Sequence, residues 1–197
     1  MELNLKYENG QTPIDEDEKR GLKIKSISTM GDLDAFEQQN IEHAMQWAYA
    51  RSFRPDKVLD VDFILNIHLR MFKNVWKWAG QFRRSNKNIG VPYYEIRRNL
   101  QSLIDDCKFW IEHDTFPQEE IAIRFKHRLV SIHLFPNGNG RHSRLMGDIL
   151  LKALDSDQSF TWGGQTFKKG DDRTAYIEAL RKADSGDMEP LIQFSKA

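Results

Sequence analysis

Eight residues within a twelve-residue span carry chemistry: His133, Phe135, Asn137, Gly138, Asn139, Gly140, Arg141 and Arg144. A candidate proton acceptor stands before a proline-interrupted turn, followed by two glycines around an asparagine and two arginines spaced i,i+3. Backbone amides at a helix start point beyond its N-terminus, where the dipole favours negative charge. Glycines let that backbone approach an anion closely, and guanidinium groups match phosphate oxygens in bidentate geometry. Asn139 can offer an amide to the same oxygens. A base must sit within hydrogen-bond reach of the proton it takes, and His133 directly precedes the turn. The segment reads as a phosphate-transfer site with its own base. A helix-terminal histidine and an ordinary Asn-Gly turn are the structural alternatives for the same residues. His127, His133 and His142 lack the spacing of helical zinc motifs.

Helices must position this turn. Apolar periodicity predicts helices from about Asp32 to Arg51, Asp60 to Val75 and Tyr94 to His113. A fourth follows Pro117 through Ile121, Phe125, Leu129 and Ile132, and is expected to end at Phe135 because Pro136 disfavours helix in the residue before it. A fifth starts near Gly138, and shorter ones cover Asp172 to Asp184 and Asp187 to Ser195. Gln81 to Pro92 lacks helical periodicity and suits a short β-hairpin. Another extended piece is expected at Ser159 to Phe167. Residues 1–30 are polar with turn signals and read as an extended arm, and 31–197 as one globular unit. The five tryptophans, Trp47, Trp76, Trp78, Trp110 and Trp162, are assigned to packing.

The chain has 197 residues, enough for one domain with a substantial core. Its 29 Lys and Arg balance 29 Asp and Glu, so no global field argues for nucleic acid or an anionic membrane. The one cysteine, Cys107, and the lack of an apolar run near the N-terminus lead to the expectation of a soluble cytoplasmic protein.

The stretch His133-Leu134-Phe135-Pro136-Asn137-Gly138-Asn139-Gly140-Arg141-His142-Ser143-Arg144 resembles the signature of the Fic (Fido) family, His-x-Phe-x-Asp/Glu-Gly-Asn-Gly-Arg-x-x-Arg. Trp76-Lys77-Trp78-Ala79-Gly80-Gln81-Phe82-Arg83 resembles that family's Trp-Ala-Gly-x-x-Arg lead-in to a target-docking hairpin. Tyr176, Ala179, Gly186-Asp187 and Pro190-Leu191 resemble its C-terminal helices. From about Pro13 onward the chain is most similar to the bacterial subgroup called mobile mystery protein B.

The resemblance implies a mainly α, Fic-type helical domain with a short β-hairpin flap. It also implies transfer of AMP from ATP, with Mg2+, to a Ser, Thr or Tyr hydroxyl of a target protein, self-modification included. His133 would be the base and Phe135 the core anchor of the loop. Gly138, Asn139 and Gly140 would cradle the α- and β-phosphates, Arg141 would hold the β-phosphate and Arg144 the γ-phosphate. Tyr176 would border the adenine. Lys87, Asn88, Ile89, Gly90 and Val91 would form the flap on which the target docks as an added strand.

Two positions depart from the pattern. Asn137 replaces the usual magnesium-holding acid, and a neutral amide binds a hard cation more weakly. Glu37 matches only the glutamate of the family's inhibitory helix motif. It reads equally as the last residue of a capping box opened by Asp34, or as an inhibitory carboxylate paired with Arg144. Competing functions follow: removal of AMP or transfer of another phosphate-containing group, or nucleotide binding and interaction with little catalysis.

Overall fold

The computed structural model describes residues 14–156, 158–162 and 171–197, the side chains of 171–173 excepted. The described part is built from helices α1 (Glu16–Lys19), α2 (Met30–Tyr49), α3 (Pro55–Val58), α4 (Val61–Phe72), α5 (Ile96–Glu112), α6 (Gln118–Ile132), α7 (Asn139–Ala153), α8 (Asp171–Asp184) and α9 (Glu189–Lys196). A 3-10 turn at Tyr93–Glu95 leads into α5. Among the described residues there is no strand, only an isolated antiparallel bridge between Leu22 and Trp76.

Local chemistry sets the helix boundaries. Thr29 caps α2: its Oγ1 accepts from the Asp32 amide at 3.1 Å, and the Asp32 carboxylate accepts from the Thr29 amide at 3.1 Å. The capping box expected at Asp34 and Glu37 is therefore absent, because Thr29 and Asp32 form one five residues earlier. Asp60 caps α4 by accepting from the Phe63 amide at 3.0 Å. Helix α3, missed in the sequence, opens with Pro55 at its first position, where a missing amide hydrogen costs nothing.

The main core is formed by the inward faces of α2, α4, α5, α6 and α7, with Ile64, Ile67, Met71, Leu100, Leu103, Phe125 and Met146 almost fully enclosed. Burying each such side chain contributes roughly 1.5–3 kcal/mol. Helices α6 and α7 pack most extensively, and the turn between them carries the candidate site. A second cluster joins α8 and α9 to α6 through Ile123, Tyr176, Ala179, Met188 and Leu191.

Two expectations change. Residues 14–29 are not simply extended, since they contain α1 and pair with the chain after α4: the Lys23 amide donates to Val75 O and the Lys77 amide to Gly21 O, both at 2.8 Å. The rest of the predicted arm, residues 1–13, lies outside the described residues. The extended piece expected at Ser159 to Phe167 is described only to Trp162. There the Thr161 and Trp162 amides both donate to Ser195 O. No helix among the described residues is long and apolar enough to cross a membrane.

Candidate active site

Helix α6 stops at Ile132, three residues before the position expected from Pro136. His133 takes the left-handed conformation, φ 59° and ψ 66°. The carbonyls freed at this end are taken up from residues 83–91. The Arg83 amide donates to Leu134 O at 2.9 Å, Arg83 Nε to His133 O at 2.6 Å, and the Val91 amide to Ile132 O at 3.4 Å. A non-glycine residue in this conformation costs roughly 1–2 kcal/mol, and these bonds offset it.

Beyond His133 the turn is held from inside. The Phe135 ring stacks on the His68 imidazole with centroids 3.6 Å apart and planes within 13°. His68 Nδ1 accepts from the Gly80 amide at 2.9 Å, which fixes the proton on Nε2 and lets it donate to Asn137 O at 3.1 Å. His142, given no role by its variable position in the motif, is buried and donates through Nε2 to Ile64 O at 3.0 Å.

Asn139 does not offer its amide outward. Its Oδ1 accepts from the Phe135 amide at 2.9 Å and its Nδ2 donates to Phe135 O at 2.8 Å, so the side chain closes the loop and is 4% exposed. Gly138 sits at φ 79°, where an added Cβ would lie 2.5 Å from the Phe72 ring. A Cβ at Gly140 would meet nothing within 4 Å. Gly140 is thus unobstructed on its Cβ side in the first turn of α7, and unpaired amides at a helix start favour an anion.

The two arginines face different partners. Arg141 Nη2 lies 2.7 Å from Glu37 Oε2, and the other carboxylate oxygen accepts from Trp76 Nε1 at 2.5 Å. Glu37 is 3% exposed, while the Arg141 side chain keeps 31% of its surface. The expected Arg144 partnership is replaced by one with the first motif arginine. Arg144 faces the Tyr176 ring, its guanidinium carbon 5.7 Å from the centroid. The Tyr176 hydroxyl accepts from fully buried Lys126. Burial opposes ionisation of this phenol, but the charges of Lys126 and Arg144 pull its pKa below the usual value. Tyr176, expected beside the adenine, is 7% exposed and belongs to this buried polar group.

The expected β-hairpin at 81–92 forms no ladder. Arg83 does the joining instead, donating Nη1 to Ser85 O at 2.8 Å and Nη2 to Val91 O, so one guanidinium bridges both arms of the flap. Gly90, at φ 94°, rests on His133, and an added Cβ would stand 2.5 Å from the His133 Cβ. Ile89 is half exposed. The Lys87 side chain is 3% exposed and held by Glu18 at 2.6 Å and Asp15 at 2.8 Å from the segment around α1. Arg83, Asp15 and Glu18 were not singled out as functional in the sequence. The signal for Arg83 was its place in the Trp-Ala-Gly-x-x-Arg run, whereas nothing local marks a carboxylate pair some seventy residues from its lysine.

Burial, with the charges of Arg83 and Lys87 added, brings the His133 pKa down to about 4. The imidazole is therefore neutral near pH 7. Asn137 Oδ1 accepts from the Gly138 amide at 2.6 Å and lies 3.4 Å from Arg141 Nη2. Among the described residues no group of three or more His, Cys, Asp or Glu side chains could hold a metal. With Glu37 committed to Arg141 and Trp76, the protein groups here do not fit a magnesium seat.

Residues 58–151 match the model of the Fic/DOC family, a span running from the end of α3 through the turn and most of α7. These residues form a Fic/DOC family domain. It is 27% identical over 158 residues to the protein adenylyltransferase Fic of Aedes aegypti, covering 78% of this chain and 30% of that protein. The Drosophila melanogaster protein of the same name is 30% identical over 135 residues, 66% of this chain and 26% of its own. The chain thus spans less than a third of these relatives' length. Among solved structures it resembles the N-terminal Fic domain of a putative cell filamentation protein with bound ADP from Bartonella quintana, with TM-score 0.65, 18% identity and coverage of 87% and 86%. It also resembles the BepC protein with bound AMPPNP from Bartonella tribocorum, with TM-score 0.67, 19% identity and coverage of 92% and 97%. Glu37, Asp15, Glu18 and Tyr176 all lie outside the Fic/DOC match.

Proposed function

We propose that this chain is a protein adenylyltransferase that moves AMP from ATP to a Ser, Thr or Tyr hydroxyl of a target protein, itself included. One observation carries the reading: the Arg141 guanidinium beside the open α7 N-terminus already holds an anion, the Glu37 carboxylate, at 2.7 Å. A phosphate group suits the same place. The adenylyltransferase relatives of Aedes and Drosophila, and the bound ADP and AMPPNP of the similar Bartonella structures, support the same chemistry.

In this reading the target hydroxyl oxygen bonds to the α-phosphorus, the bond to the bridging oxygen breaks, and pyrophosphate leaves. The hydroxyl proton passes to neutral His133. Gly138 and Gly140 allow the backbone to cradle the α- and β-phosphates, and Arg141 holds the β-phosphate once Glu37 yields it. Arg144 reaches the γ-phosphate from its place against Tyr176. Phe135 and Asn139 keep the turn rigid, so positioning and electrostatics supply most of the rate. Lys87 to Val91 carry the target. Magnesium enters with the ATP phosphates, because Asn137 offers only an amide oxygen already engaged. Cys107 is buried and unbridged, which suits the cytoplasm.

Glu37 makes this a restrained enzyme. The same contact favours a second reading, nucleotide binding with little transfer. Incubating wild type, Glu37→Gly and His133→Ala with ATP and magnesium, followed by intact mass, separates the two. A gain of one AMP in wild type, larger in Glu37→Gly and lost in His133→Ala by roughly 10²–10⁴-fold in rate, selects transfer. Nucleotide binding without modification in all three proteins selects the second.

A further inference from the structure

A cleft of about 450 Å³ opens beside the flap, on the flank formed by the 3-10 turn and the start of α5. Phe82, Arg84, Tyr93, Tyr94 and Arg97 line it. Tyr93 is 44% and Tyr94 70% exposed, and their rings meet edge to face at 5.6 Å. The Arg97 guanidinium lies over the Phe82 ring at 4.9 Å. The volume is ligand-sized, and exposed aromatic and arginine side chains are what protein interfaces enrich.

Charge distinguishes this cleft from the rest of the site. Its lining holds three arginines, Arg83, Arg84 and Arg97, and no Asp or Glu, in a chain balanced at 29 each. The chain supplies its own carboxylates to the enclosed cations, Glu37 to Arg141 and the Asp15–Glu18 pair to Lys87. Among the described residues no carboxylate forms an ion pair with Arg84 or Arg97.

The cleft and the flap are one piece. The Tyr93 amide donates to Asn86 Oδ1 at 3.0 Å, and Arg83, next to Arg84, bonds the carbonyls of Val91 and His133. A segment seated in the cleft is therefore tied, through Arg83, to the backbone that carries His133. We propose that the cleft receives an acidic segment of the target protein, with carboxylates on Arg84 and Arg97 and apolar atoms on Tyr93 and Tyr94. This rests on the transferase reading and deepens it: the enzyme selects hydroxyls that stand near Asp or Glu in the target chain. Nucleic acid is disfavoured by the zero net charge of the chain.

The test measures binding without ATP, so it stands apart from the mass experiment on AMP transfer. Backbone NMR signals are followed while a blocked peptide of alternating Glu and Ser is added, then its Lys and Ser counterpart, then a single-stranded oligonucleotide. The acidic peptide is expected to move signals in residues 82–97 and to bind about tenfold more weakly, or worse, to Arg84→Glu/Arg97→Glu, since charge-assisted contacts of this kind are individually strong. Both positions are exposed, and an unchanged far-UV spectrum shows that the variant is folded. The Lys and Ser peptide should leave the signals in place. Equal binding of the acidic and basic peptides, shifts mapping elsewhere, an unaffected double variant, or tighter binding of the oligonucleotide would each overturn the proposal. If AMP transfer fails while the acidic peptide binds here, the transferase reading falls and the acidic-segment site remains.

Discussion

Behind His133 lies a turn held by its own neighbours; in front lies a flap held from far away. From Phe135 to Arg141 the backbone is fixed by Asn139, by the His68 ring and by Phe72 packed under Gly138. These contacts are enclosed and mostly neutral, and they continue into the core of α4 and α7. The flap instead hangs on one guanidinium and on a lysine whose two carboxylates lie about seventy residues earlier. Apolar packing is cooperative with the whole domain, whereas a segment held by a few polar contacts opens locally at lower free energy. The candidate site therefore pairs a turn built into the core with a flap that is held by fewer, polar contacts.

The comparison breaks first, and most visibly, at Phe135. Phe135→Ala removes a fully enclosed ring and the stack on His68, and should cost about 3–5 kcal/mol of global stability in denaturant unfolding. A loss below about 1 kcal/mol would mean that the turn is not part of the core. The flap should answer differently. Glu18→Gln weakens the hold on Lys87, and flap amides such as Val91 should exchange about tenfold faster while global stability barely changes. If the Phe135 and Val91 amides accelerated together, the two regions would be one unit and the contrast would fail.

This contrast also explains what the sequence could tell. The candidate turn is legible because its residue types are tied to local geometry: a glycine at φ 79°, a phenylalanine for the core, arginines on the first turns of a helix. Five of the longer helices followed from apolar periodicity, and Ile121, Phe125, Leu129 and Ile132 are buried as their spacing required. Partners were not legible. Asn139 looked like a phosphate ligand because its local alternative, a reciprocal bond to the Phe135 backbone, depends on a turn conformation that spacing does not encode. Glu37 was recognised as a core-facing carboxylate, yet its choice of Arg141 over Arg144 depends on how α2 crosses α7. The hairpin was misjudged because Arg83 takes carbonyls that a ladder would have used, and no alternation of residues announces a side chain acting as a rung.

The smallest effect tests whether the cover tunes the base. His133 has a folded pKa of about 4, below the ordinary value near 6.5, because burial and then Arg83 and Lys87 disfavour its charged form. Below pH 6.5 the unfolded chain takes up this proton more readily than the folded one. The stability tied to neutral His133 is thus complete above about 6.5 and is lost as pH falls toward 4. Activity limited by the neutral imidazole should persist through pH 5–6 and fade near 4. Lys87→Met removes one of these two charges and should move the imidazole midpoint upward, read directly from its NMR signals, with the acid limb of the rate profile following. A midpoint that stays put in Lys87→Met while flap exchange accelerates would show that Lys87 holds the cover without tuning the base.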